Sequence, residues 1–126
     1  MKHMTIAVVI LTIIATGSIF CVNYTQKISE QLLDTLDICE EAVDHGNWDA
    51  AQKNIYLTGS LWEKYRPRLA IFLMHSDLNE ISDALIQVTA WITLQDKTQF
   101  FAETRRLTAL VDEISKLDSV TFENIF

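Results

Sequence analysis

The chain has 126 residues, 49 % of them hydrophobic, with only three glycines and one proline, and so few breakers make long helices its default. Ten Lys and Arg stand against seventeen Asp and Glu; all the acids but only nine of the cations lie after residue 22, a formal balance of −8 for that part. Such a surface repels phosphates and argues against nucleic acid as a partner.

After a short basic start at residues 1–3, the stretch Met4 to Val22 contains no charge and carries Met4, Val8, Ile10, Leu11, Ile13, Ile14, Phe20 and Val22. At ~1.5 Å rise per residue it forms a helix of about 28 Å, close to the ~30 Å hydrocarbon core of a bilayer. It reads as a single-pass anchor. A cleaved signal has a shorter apolar region, roughly 7–15 residues, and cleavage after Ala15-Thr16-Gly17 leaves Ser18 to Val22 as an apolar stub. Cys21 follows Ser18-Ile19-Phe20 and lacks the small residues that a lipoprotein signal requires. Lys2 and His3 precede the anchor, whereas Lys27 is followed by Glu30, Asp34 and Asp37. This bias directs the N-terminus to the cytoplasm and residues 23–126 to the outside of a cell membrane, with the reverse orientation as the alternative.

Cys21 and Cys39 are eighteen positions apart, about 27 Å along one helix axis. They cannot pair with each other, because a disulfide needs Cα atoms within ~7 Å. Cys39 falls on an apolar register and reads as a buried free thiol. Pairing between two chains, and with it a homodimer, is the alternative.

From Thr25 to Asp44 the residues Ile28, Leu32, Leu36, Cys39 and Val43 recur at three and four, the spacing of one helix face, and nothing separates this helix from the anchor. Gly46 is suited to the left-handed position past its end and Asn47 to capping the next helix. Trp48, Ala51, Ile55, Trp62 and Tyr65 form the second stripe. The turn Gly46-Asn47-Trp48, with Ala51 allowing close approach, is similar to that of a tetratricopeptide-type hairpin; a single turn makes no repeat array. Pro67 is expected to stop or kink the second helix.

Leu69 to Met74 is an apolar run too short to span a membrane. Asp77 and Glu80 have the spacing of a capping box, and Leu78, Ile81, Leu85, Val88 and Ile92 mark a third helix. Asp96 caps a fourth, which carries Phe100, Thr104, Leu107, Val111, Ile114 and Leu117. Asn47 and Asp96 occupy matching places, a sign of duplication. The expected fold is all-α: the anchor continues into a four-helix domain of two antiparallel hairpins, 25–66 and 77–117, with a tail at 118–126.

Alternating directions bring Arg66, Arg68, Ile71, Phe72 and Met74 back to the membrane, together with Val120, Phe122, Ile125 and Phe126 of the tail. This proximal end is the expected docking site for an integral membrane protein or for lipid headgroups; the alternative is that both segments plug the open end of the bundle. Glu30, Asp34, Asp37, Glu41 and Asp44 line one face of the first helix and read as a solvated stripe. His75 and Asp77 read as structural polar residues at a helix start.

No Glu-x-x-His, His-Glu-x-x-His or Gly-x-Ser-x-Gly occurs, and neither cysteine has a basic neighbour on its face. No catalytic, metal or cofactor residues are therefore expected, and the chain is read as no enzyme. The basic start, the anchor, the acidic helix, Gly46-Asn47-Trp48, Trp62, the Phe72 to His75 segment and the closing Phe122-Glu123-Asn124-Ile125-Phe126 resemble the membrane-anchored proteins of domain-of-unknown-function family 4363. That resemblance implies a cell or spore membrane of an endospore-forming Firmicute and carries over no catalytic residues. Pro67 departs from the usual pattern and puts the continuity of the second helix in question. The expected function is that of an accessory protein docking an integral membrane partner; a small-ligand or sensory domain, or a structural envelope protein, is the alternative.

Overall fold

The computed structural model describes the backbone of residues 1–71 and 73–125 and the side chains of residues 1–71 and 73–116. Four helices account for nearly all of it: α1 Lys2–Asp44, α2 Trp48–Leu69, α3 His75–Thr93 and α4 Lys97–Ile125. Each packs on two others in the cyclic order α1, α2, α3, α4, so the chain runs up and down around one core. The fold is the expected pair of antiparallel hairpins.

The first half of α1 is long and apolar enough to cross a membrane, and that window is not buried within the protein. No break separates it from the second half, where Ile28, Leu32, Leu36, Cys39 and Val43 are buried. The stripes of the other helices are buried likewise, with Trp48 and Tyr65 packed at the margin and the Leu117 side chain outside the described residues. Thr25, Ser29, Thr58 and Thr104 join the core. Ser29 Oγ donates to the Val111 carbonyl of α4 at 3.3 Å, and Thr58 Oγ1 donates to Thr35 Oγ1 of α1 at 2.8 Å.

The two interhairpin halves share one turn design, related by a shift of forty-nine residues. Gly46 has φ +73° and Gln95 has φ +54°. The Asn47 amide donates to the Ala42 carbonyl at 2.8 Å, and the Asp96 amide donates to that of Trp91 at 3.0 Å. Asn47 Oδ1 accepts from the Ala50 amide at 3.2 Å, and Asp96 Oδ1 accepts from the Gln99 amide at 3.1 Å. Under the same shift Leu32, Leu36, Cys39 and Val43 map onto Ile81, Leu85, Val88 and Ile92, while Ala51, Ile55, Thr58 and Trp62 map onto Phe100, Thr104, Leu107 and Val111, all buried. The two hairpins repeat one turn geometry and one burial pattern.

Three boundaries differ from the sequence reading. α2 passes through Pro67 and ends at Leu69, with the Ala70 amide still donating to the Arg66 carbonyl at 2.9 Å. Pro67 and Glu63 are exposed, so water can serve the Glu63 carbonyl that the proline cannot, and φ of proline is already helical. α3 starts at His75 behind an extended Met74. Asp77 is therefore in the first turn, where its charge complements the helix dipole, and does not form the expected capping box with Glu80. α4 continues to Ile125 across the expected tail, a stretch without Gly or Pro.

Gln95 bears the backbone strain that Gly46 avoids. Gln95→Gly is expected to raise unfolding free energy by about 1 kcal/mol, and Asn47→Ala to lower it by ~1 kcal/mol, both read by urea titration.

Candidate functional site

The height of each element along α1 follows from short contacts. Thr58 lies opposite Thr35, and since antiparallel helices share the ~1.5 Å rise, the end of α2 at Leu69 comes level with Tyr24. Longer side chains agree: Tyr65 Oη donates to Gln31 Oε1 at 2.9 Å, and Arg68 Nη1 donates to Tyr24 Oη at 3.4 Å. Tyr24 stacks on Phe20 at 6.2 Å and meets the edge of Tyr65 at 6.3 Å. An aromatic and cationic collar thus lies between α1 and α2 at the end of the apolar stretch. The α2–α3 loop hangs at the lower edge of this collar, level with Val22.

Within the loop Leu73 packs against the core, whereas Ile71 and Met74 are exposed. Arg68 is exposed, and Arg66 is half-buried and donates from Nη2 to Asn79 Oδ1. These members of the expected docking set share one end. Phe72, Phe126 and the side chains of Val120, Phe122 and Ile125 lie outside the described residues. His75 opens α3 and is exposed, without a side-chain hydrogen bond among the described residues, and Asp77 is half-buried. Gly46, Asn47, Trp48 and Ala51 form the turn at the opposite end, where Cys39 Sγ lies 3.8 Å from the Ala51 carbonyl.

A recess of about 410 Å³ runs between α2 and α3, lined by Gly59, Trp62, Glu63 and Arg66 on one side and Ser82, Leu85, Ile86 and Thr89 on the other. Trp62 Nε1 donates to Ser82 Oγ at 2.8 Å across its floor. Gly59 keeps the upper part open, and a Cβ there would meet nothing within 4 Å. Arg66 closes the lower end, toward the loop. The sequence reading missed this groove; the lone glycine in the middle of an amphipathic helix was the available signal.

The acidic stripe Glu30, Asp34, Asp37, Glu41 and Asp44 is exposed throughout. Burial, then the neighbouring Asp37 charge, raise the Glu40 carboxyl above its ordinary range, and Arg105 opposes them. Asp44 reaches Lys97 at 3.5 Å with both side chains open to solvent, a contact worth little. Among the described residues no three His, Cys, Asp or Glu side chains converge as metal ligands would.

The family model for the domain of unknown function DUF4363 matches residues 19–125. The chain belongs to this family. The DUF4363 match starts inside α1, before Tyr24, and takes in the aromatic collar together with both hairpins. No curated protein and no solved structure matches the chain.

Burial pushes the Cys39 thiol up from 9.0 to about 12, only partly offset by Thr58. The unfolded thiol ionises first, so its contribution to stability is full below about pH 9 and is lost as the pH rises toward 12, because the unfolded state sheds the proton there. Urea midpoints across that range, for the parent chain and for Cys39→Val, are expected to diverge, with the steeper decline in the parent.

Proposed function

We propose that this DUF4363 chain is a non-enzymatic, membrane-anchored interaction protein whose bundle docks an integral membrane partner near the bilayer. The observation carrying this reading is the continuity of α1: one helix supplies both the candidate span and a wall of the bundle. A bundle joined to its anchor without a hinge keeps a constant height, so the same surfaces always face whatever lies beside it in the membrane. The N-terminus is cytoplasmic and the bundle outside on this reading, in the cell or spore membrane of a Firmicute.

The interior supports an interaction role. Among the described residues nineteen apolar side chains are buried, and the recess between α2 and α3 lies on the outside. Its apolar lining of Trp62, Leu85 and Ile86 and its small residues Gly59, Ser82 and Thr89 suit an apolar helix of the partner, approached closely where side chains are small. Glu63 and Arg66 supply a polar edge. A small amphipathic ligand is the second reading, favoured by the groove volume, which falls in the range of small-molecule sites.

The intact chain, purified from its native membranes in mild detergent, is expected to bring one integral membrane protein in stoichiometric amount. Gly59→Leu, which fills open space and improves helix propensity, should keep the helical fold and lose that companion, while Gly59→Ala retains it. Recovery of the parent chain alone would overturn the reading.

A further inference from the structure

The α2–α3 loop exposes two large apolar side chains, Ile71 at 84 % and Met74 at 70 %. Neither is needed by the core, which takes Leu69 and Leu73 from the same run. The loop is level with Val22, the last residue of the apolar stretch, and Phe20 of α1, 68 % exposed, lies at nearly the same height. Directly above are Tyr24 and Tyr65, with Arg68 held against the Tyr24 hydroxyl. Lys27 and Arg66 lie within the next turn. Exposed apolar side chains level with the end of the apolar stretch, with tyrosines and cations together in the turns above, are the composition that partitions at a bilayer surface.

We infer that the α2–α3 loop is a second membrane contact, in which Ile71 and Met74 enter the headgroup–acyl boundary of a bilayer containing anionic lipid and Arg68, Arg66 and Lys27 face its headgroups. The inference rests on residues 4–22 spanning the membrane. It divides the proximal end between lipid, held by the loop, and protein, held by the groove. A bundle tied to the bilayer at both α1 and the loop cannot swing about its anchor, and the groove between α2 and α3 keeps one azimuth as well as one height.

The charge distribution favours lipid here. The bundle is acidic overall, yet on α1 the exposed acidic stripe starts at Glu30 and climbs away from this end, and Asp77, in the first turn of α3 beside the loop, is half-buried. Anionic headgroups therefore meet Arg68, Arg66 and Lys27 on the α1–α2 side of this end.

The test uses the full chain with Cys21→Ser and one added cysteine, Phe20→Cys, Ile71→Cys or Leu94→Cys, labelled with an environment-sensitive fluorophore. Cys39 is buried and stays unlabelled. Leu94, an apolar residue 69 % exposed at the opposite end of the bundle, is the distal comparison for Ile71. In vesicles of phosphatidylcholine and phosphatidylglycerol, lipids brominated on the acyl chain should quench the labels at 20 and 71 to a similar extent and leave that at 94 unquenched. Quenching at 20 but not at 71 overturns the loop contact and leaves the anchor standing. No quenching at 20 overturns the anchor and the loop contact together. Quenching at 71 that is the same without phosphatidylglycerol overturns the anionic-headgroup assignment.

Discussion

Everything in this molecule is referred to the unbroken backbone of α1 between its apolar half and its core-facing half. Toward residue 25 the helix passes from side chains that are mostly exposed, with Ala15, Ser18, Cys21 and Val22 half-buried along one face, to a register in which Thr25, Ile28, Ser29 and Leu32 are buried. A helix carries its hydrogen bonds along its own axis, so it can change surroundings without changing direction, and this is what couples the bundle to the apolar stretch. The heights of α2 and α4 are set against it by the Thr58–Thr35 and Ser29–Val111 contacts. The collar of Tyr24, Tyr65 and Arg68 marks the transition.

The repeat of one hairpin pattern underlies the regularity of the bundle and shows where it departs from symmetry. The two turns agree in backbone hydrogen bonding and in the cap residue, yet the first uses glycine at the left-handed position and the second glutamine. Thr104 occupies the place of Ile55, and its hydroxyl is buried without a partner among the described residues, a cost that a core of apolar side chains absorbs. At Trp62, equivalent to Val111, the larger side chain bridges to Ser82 at the floor of the groove. The recess between α2 and α3 is therefore local chemistry laid over a repeated frame.

The apolar spacing made the bundle legible: every member of the stripes Ile28 to Val43 and Leu78 to Ile92 is buried, because a helix packed on one side has to repeat at three and four. Gly46, Asn47 and Asp96 announced both turns through local backbone chemistry. The start of α3 was not legible, since the helix begins behind an extended Met74 with no side chain capping it. Nor was the course of α2 through Pro67, which depends on that residue facing water. Thr104 took its place on the fourth stripe from spacing alone, whereas Thr58 was absent from the second, and its burial follows only from which helix lies opposite. The proximal end was legible as a direction of travel; its collar required the relative heights of α1 and α2, which no single stripe contains.

The central claim is that α1 has no hinge where the apolar stretch meets the bundle. Amide hydrogen exchange of the full chain in lipid nanodiscs measures this directly at residues 20–28. Continuous slow exchange across those amides, as slow as in the buried part of α1, is the predicted result. A fast-exchanging gap near Asn23 to Thr25 would uncouple bundle from anchor and contradict the account.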